Sequence, residues 1–313
     1  MQRPMHFYNP ERGNKNALIY SEAHIEETFQ KNATEDSLVS FLVKKRWKRG
    51  VGYCPQCGPI RISKSKKQKI VSGMLLCSKC KRRVAILSGT LFHGTHKSVK
   101  KWFKAIWLMA TAEQGLTAYR LQKELGLGSY KTAWRWLRKL RRALPEIRWQ
   151  KNSGIVVVGS TEIEVFPKKR SKRQRVRILI VARKRHNRIH FVNIVRVNGP
   201  SESEIIAALS KFAVKEDIVQ TDERKEYKCI KRHGYRHEAL SSKSRGKIRY
   251  FGIRGVERNL VRWWKQVYRG AADVKYIDEY LREFELRYNF RKIRPRGQIF
   301  YWMIGKGLTS RFE

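Results

Sequence analysis

The 313-residue chain carries 70 lysines and arginines against 26 acids, a formal charge of +44, yet 41% of it is hydrophobic and 11% aromatic. That content excludes a disordered basic tail, and so large a charge calls for an anionic partner, with nucleic acid the leading candidate. No run of about 18 apolar residues is available to span a membrane, and Met1 to Tyr20 lacks the apolar region of a signal peptide. The expectation is a cytoplasmic, nucleoid-associated protein of two or three domains with no membrane partner.

Residues 1–31 show no sustained period and read as a variable, loosely docked N-terminal segment; residues 1–40 hold six acids against four bases, so the charge excess lies beyond them. Over 32–52 the pattern predicts a short helical lead, capped by Thr34, with Glu35 and Asp36 in its first turn and Leu38, Phe41 and Leu42 on one face. Residues 53–90 contain Cys54-Pro-Gln-Cys57 and, after 19 intervening residues, Cys77-Ser-Lys-Cys80. Four thiolates in two knuckles match tetrahedral zinc with no open position, which makes the metal structural and the segment a zinc ribbon. Ile60, Ile62, Ile70, Met74, Leu75, Val84 and Ile86 form its expected core, and Lys64, Lys66, Lys67 and Lys69 lie between the knuckles, the first three as DNA contacts. Cys229, the fifth cysteine, reads as a small buried apolar residue.

A helical region follows over 91–150. Val99 to Gln114 has the apolar density of a core helix. Leu116 to Leu125 and Tyr130 to Leu144, joined by Gly126, Leu127 and Gly128, have the spacing of a helix-turn-helix, with Thr117 and Ser129 as caps. Ala133, Leu137, Leu140 and Leu144 share one face, while Lys131, Arg135, Arg138 and Arg142 recur on another, so one side packs and the other follows phosphates. Trp134 and Trp136 read as packing residues. His93 and His96 lack the further ligands a second metal site needs and read as structural or phosphate-contacting.

Residues 151–295 change texture. Ile155 to Val158, Val176 to Ala182 and Ile189 to Val197 are short β-branched runs, followed by a helix over Ser201 to Phe212, a strand at Ile218 to Gln220 and helices from about Glu257. Three strands, a helix, a strand and then helices is the order expected of a ribonuclease-H-like α/β domain. Residues 296–313 are left as a C-terminal tail. The fold class is thus a multi-domain α+β chain: zinc ribbon, helical domain with helix-turn-helix, ribonuclease-H-like domain. Phosphodiester cleavage would need clustered acids or amides from strand ends and a neighbouring helix. Asp222, just after a short strand, is well placed; Glu162, Glu164, Glu257 and Asn259 are further candidates, though the three glutamates read first as surface acids.

Taken together these residues resemble the zinc-ribbon insertion-sequence transposases related to the Merlin superfamily. The resemblance starts at Asn32-Ala33-Thr34-Glu35-Asp36 and runs through Arg46-Trp47 and Tyr53-Cys54-Pro55-Gln56-Cys57-Gly58. Its most specific portions are Ser88-Gly89-Thr90-Leu91-Phe92-His93-Gly94-Thr95-His96, Lys101-Trp102-Phe103 with Ala105 to Thr111, Tyr130-Lys131-Thr132-Ala133-Trp134 and Glu283-Phe284-Glu285-Leu286-Arg287-Tyr288-Asn289. It implies a nuclease that binds the inverted ends of a mobile element as a homodimer or higher self-assembly. With magnesium, such an enzyme cuts and rejoins DNA through an Asp, Asp and Asn or Glu set. The chain departs from that set. Gly159, in Val158-Gly159-Ser160-Thr161, stands where the first aspartate belongs; Asp222 keeps the second; the third falls near Arg258, with Glu257 or Asn259 one residue away. Strand alternation points Glu162 away from the Gly159 face, so its use as a substitute requires a bulge.

Three functions follow as expectations. The first is a transposase-derived protein that binds duplex DNA at element ends with impaired or absent cut-and-paste chemistry. The second is an active transposase using Asp222 with Glu162 and Glu257 or Asn259, in which case magnesium is required. The third is an RNA-associated basic zinc protein, since charge alone does not distinguish the two polymers.

Overall fold

The computed structural model describes residues 20–47, 50–61, 74–94, 97–144, 153–165, 174–186, 188–199, 201–240, 251–268, 272–292 and 296–309. The described chain divides into two compact units: one takes residues up to Ala112, Ala118–Pro145 and the stretch from Ile293, the other Glu113–Thr117 and Glu146–Lys292.

In the first unit, α1 (Glu22–Ile25), capped by Ser21, runs into a wider helical turn at Glu26–Lys31. These residues are docked rather than loose, because Ile25 and Phe29, one helical turn apart, are both buried. Phe29 packs its ring against Phe41, Phe103 and Phe300 at centroid separations of 5.1, 5.5 and 5.5 Å. Helix α2 (Glu35–Arg46) starts at Thr34, whose hydroxyl accepts from the Ser37 amide at 3.2 Å. Glu35 also reaches across to the first turn of α3 (Val99–Thr111), accepting from the Val99 and Lys100 amides, two of the donors a helix N-terminus leaves free. Between them lie two antiparallel hairpins, β1 (Val51–Cys54) with β2 (Gly58–Arg61) and β3 (Met74–Leu76) with β4 (Arg83–Ala85). Ile60, Leu75, Val84 and Ile86 are buried between and beneath them, whereas Met74 is exposed; Ile62 and Ile70 lie outside the described residues.

Helices α4 (Ala118–Leu125) and α5 (Tyr130–Arg142) are joined by a turn in which Gly126 takes φ 57°, a left-handed conformation that a side chain would strain. Ser129 caps α5 through the Thr132 amide. Trp136 stacks on Trp102 at 3.7 Å between centroids and 15° between planes, which ties α5 to α3. Much of the expected tail is helical: Gly297–Thr309 packs on α2 and α3, burying Ile299, Phe300, Met303, Ile304 and Leu308. A Cβ at Gly307 would stand 3.0 Å from the Leu91 side chain, which would have to give way to admit it.

The second unit is a five-stranded mixed sheet. β5 (Ile155–Val165), β6 (Gln174–Arg185) and β7 (Arg188–Val197) form an antiparallel meander, and β8 (Ile218–Thr221) and β9 (Arg236–Ala239) add in parallel on the other side of β5, giving the order β7-β6-β5-β8-β9. The crossover from β7 to β8 contains α6 (Glu202–Phe212), and that from β8 to β9 contains α7 (Cys229–Arg232). Helix α8 (Phe251–Tyr268) begins six residues before the expected start at Glu257, and α9 (Ile277–Asn289) follows. Alternation along β5 divides the cores. Val157, Ile163 and Val165 pack toward Ile253, Val256 and Leu260 of α8; Val156 and Val158 pack toward α6 and α7, where Cys229 is buried as expected. The start of β8 is pinned by Asp217, fully buried, which accepts from the Gly154 and Val214 amides at 2.7 and 2.8 Å and pairs with Arg183 at 3.1 Å.

Candidate functional sites

The turns after β1 and before β4 bring Cys54, Cys57, Cys77 and Cys80 together, with all four sulfurs within 4.8 Å of one another. Gly58 and Lys81, the residues after each pair, take positive φ and turn the chain back toward the sulfurs. Such crowding suits thiolates only beside a cation: Cys57 is pushed up to about 12, first by the Cys80 side chain, while backbone N–H groups, Cys80 first, hold Cys77 down to about 7. The donor set fits a metal such as zinc. Among the described residues this is the sole group of three or more His, Cys, Asp or Glu side chains arranged for a metal ion. Arg46 donates to the carbonyls of Ile86 and, at 2.8 Å, Ser88, anchoring the chain as it leaves the second knuckle. Lys64, Lys66, Lys67 and Lys69 lie outside the described residues.

On α5, Lys131 and Arg135 are exposed and Arg138 and Arg142 half-buried, while Ala133, Leu137 and Leu140 face the core. Trp136 is a packing residue; Trp134 is half-buried, with the Arg138 guanidinium 5.2 Å from its ring centre. His93 accepts from the Gly89 amide at 3.1 Å through Nδ1, and its carbonyl accepts from Lys139 at 2.8 Å, a turn-closing role. His96 lies outside the described residues.

At the C-terminal end of β8, Asp222 is met by Arg224, whose backbone N–H and Nε donate to Oδ1 at 3.3 and 3.0 Å and whose Nε also lies 2.8 Å from Oδ2. The same guanidinium donates to Ser160 Oγ at 2.8 Å and to the Tyr227 hydroxyl at 3.2 Å, and lies 3.5 Å from Glu226. Glu257 belongs to this site: burial pushes it up to about 7 against the pull of Arg224, and the Asp222 charge adds to the rise. Burial likewise pushes Tyr227 up to about 12. Glu257 thus lies within electrostatic reach of Asp222, Arg224 and Arg254, while Arg258 and Asn259 are exposed on α8.

Gly159 shares the α8-facing side of β5 with Val157 and Ile163 and presents no side-chain ligand there. The β5–β6 register is unbroken from Ile155↔Lys184 to Val165↔Gln174, so no bulge turns Glu162 toward that side. Glu162 instead sits opposite Arg177 and pairs with it at 2.9 Å. Glu164 is half-buried on the same face as Glu162. Ser160, Arg224 and Tyr227 were not singled out from the sequence. The signal present was an arginine two residues past a strand-end aspartate, close enough to fold back on it.

Residues 157–289, from the third residue of β5 to the end of α9, match the family described as the ISXO2-like transposase domain. They form an insertion-sequence transposase domain. An uncharacterized protein in transposable element ISH50 of Halobacterium salinarum is 23% identical over 279 residues, covering 83% of this chain and 92% of that protein. Among solved structures, similarity is found to a pre-cleavage Mos1 transpososome (9% identity, 71% of this chain, 82% of that one, TM-score 0.27). It also extends to a Mos1 transposase paired-end complex with left transposon end (9%, 70%, 82%, TM-score 0.29). At those scores the likeness adds nothing to the fold described above.

Within the transposase domain, the signature from Glu283 to Asn289 has a structural explanation. Glu283, fully buried, accepts from the Leu116 amide, Arg287 and the Tyr268 hydroxyl. Glu285 accepts from the Ile194 amide, and Asn289 bonds both the N–H and the C=O of Val192 at 2.8 Å. Glu285 and Asn289 thereby satisfy outward backbone groups of β7, an edge strand that would otherwise be open to pairing. No helix among the described residues is long and apolar enough to cross a membrane.

Proposed function

We propose that the chain is a transposase-derived protein that binds duplex DNA at element ends and lacks cut-and-paste chemistry. The observation that carries this reading is the carboxylate site of the transposase domain. Glycine occupies the α8-facing position of β5 and an arginine engages both oxygens of Asp222. The strand order, with a meander followed by parallel β8 and β9, supports a ribonuclease-H-like domain over 151–295, in which a pair of divalent ions would need acids on both strands. These residues do not fit magnesium: Glu162 is committed to Arg177, and Glu257 is half-buried beside two arginines.

For recognition, the four cysteines would hold zinc, which supplies a folded ribbon and no chemistry. The α4–α5 pair supports a helix-turn-helix with Lys131 and Arg135 on its open face, and Arg138 and Arg142 beside them. Work on two element ends suggests a homodimer or higher assembly. The kinship with a transposable-element protein makes element ends the natural DNA to test.

The experiment pairs two readouts on wild-type protein. Fluorescence anisotropy on duplex DNA should show affinity falling steeply with salt, with log–log slope about −0.9 per phosphate neutralised, and competition with structured RNA should favour the duplex. A nicking assay on element ends with magnesium or manganese should show no cleavage. Cleavage abolished by Asp222→Ala would overturn the loss of chemistry, and a preference for RNA would overturn the DNA reading.

A further inference from the structure

We infer that Arg224 is a built-in cation that takes the place of a divalent metal at Asp222, converting the remaining acids from an ion site into a salt-bridged pair at the end of β8. This deepens the reading above and rests on it. Asp222 is not a bare carboxylate waiting for an ion. Both its oxygens receive the Arg224 Nε, and the backbone N–H of Arg224 closes the same turn on Oδ1. The guanidinium is then immobilised from three further directions, by Ser160 Oγ, by the Tyr227 hydroxyl and by Glu226 at 3.5 Å. Although the Arg224 side chain is 40% exposed, a planar fork with several satisfied donors is held more firmly than an arginine with a single partner. Ser160 lies next to Gly159 on β5, so the arginine spans from the end of β8 to the strand position beside the missing ligand.

Charge balance points the same way. A site for two divalent ions needs acids in excess, yet here Arg224 already compensates Asp222, and Arg254 acts with it on Glu257. A metal arriving at Asp222 would have to break the pair with Arg224 and then sit beside a freed guanidinium. A guanidinium this close to the carboxylate repels a divalent ion arriving at the same oxygens, by Coulomb's law. Removing Arg224 should therefore raise metal affinity at least about tenfold.

The test uses full-length, zinc-loaded protein and Mn²⁺ as the probe, with bound and free ion separated by electron paramagnetic resonance. Wild type and Asp222→Asn should bind Mn²⁺ equally weakly, because Asp222 is not available to it. Gly159→Asp alone should gain little. Gly159→Asp with Arg224→Gln should gain a site at least about tenfold tighter that disappears when Asp222→Asn is added. Arg224→Lys in place of Arg224→Gln should keep binding weak by retaining the charge. Circular dichroism and zinc content report folding, and the comparison of wild type with Asp222→Asn requires no change at the glycine. Mn²⁺ binding by wild type that Asp222→Asn abolishes would overturn the inference. So would an unchanged Mn²⁺ affinity when Arg224→Gln is added to a folded Gly159→Asp variant. Failure here is distinguishable from failure of the proposed function: wild type that holds Mn²⁺ at Asp222 without nicking DNA overturns only the role of Arg224, whereas wild type that nicks overturns both.

Discussion

Asn289→Ala removes the side chain that satisfies both backbone groups of Val192 at the edge of the sheet. In the native chain its Oδ1 accepts from the Val192 amide and its Nδ2 donates to the Val192 carbonyl, each at 2.8 Å, and Val192 itself is fully buried. A buried backbone group left without a partner costs about 1–3 kcal/mol. The half-buried position of Asn289 lets water recover part of the loss, so the pair should cost about 2–4 kcal/mol. Asn289→Asp keeps the acceptor but points a carboxylate oxygen at the carbonyl, and should fall at or beyond half of that range. Against a typical domain stability of about 5–15 kcal/mol this is a large fraction. Urea denaturation followed by tryptophan fluorescence would measure it, with the slope against denaturant unchanged, and amide exchange at Val192 would localise it. A loss under about 0.5 kcal/mol, or exchange at Val192 no faster than in wild type, would refute the assignment of this signature residue to the strand edge.

Chelation of zinc, or Cys77→Ser, should unfold the hairpins of the ribbon and weaken DNA binding; released zinc measured with a chromophoric chelator should track the loss of affinity. Lys131→Ala and Arg135→Ala should each weaken binding across all duplex sequences and reduce the salt slope by about 1 if each meets one phosphate, as salt-titrated anisotropy would report. Trp136→Ala removes the stack on Trp102 and should destabilise its unit by about 3–5 kcal/mol, read by thermal or urea melting. For Glu257 the folded value, about 7, lies above the ordinary 4.5. The folded state then holds a proton between those values that the unfolded chain has released, and stability from this group falls as pH rises through that window. Glu257→Gln should flatten the dependence between pH 4.5 and 7 in pH-resolved melting curves.

The parts readable from sequence were those whose chemistry is local. Two knuckles of two cysteines have few other uses, and the faces of α5 and the branched runs of β5 to β8 follow from period alone. What escaped was set by tertiary packing. The terminal helix contains Gly297, Gly305 and Gly307 and is apolar on most sides, so it offers neither a stripe nor good helix propensity; packing of its Phe300 against Phe29, Phe103 and Trp107 holds it in place. The first turns were missed because Ile25 and Phe29 are a single pair of anchors. β9 (Arg-His-Glu-Ala) has no strand signature and exists because β8 offers it an edge. At the carboxylates, sequence comparison located Gly159 and Asp222, but which of Glu257, Arg258 and Asn259 turns inward depends on where α8 starts. The answer is Glu257, because the helix begins at Phe251.

The grip of Arg224 on Asp222 also bears on how such a protein can change over generations. An aspartate introduced at position 159 would face a partner whose charge is already spent, and loss of Arg224 with glycine still at 159 would leave uncompensated acids and a looser turn. Neither exchange is rewarded unless the other is already present. Restoring an ion site here would take both exchanges together, because neither alone both frees Asp222 and supplies it with a second acid.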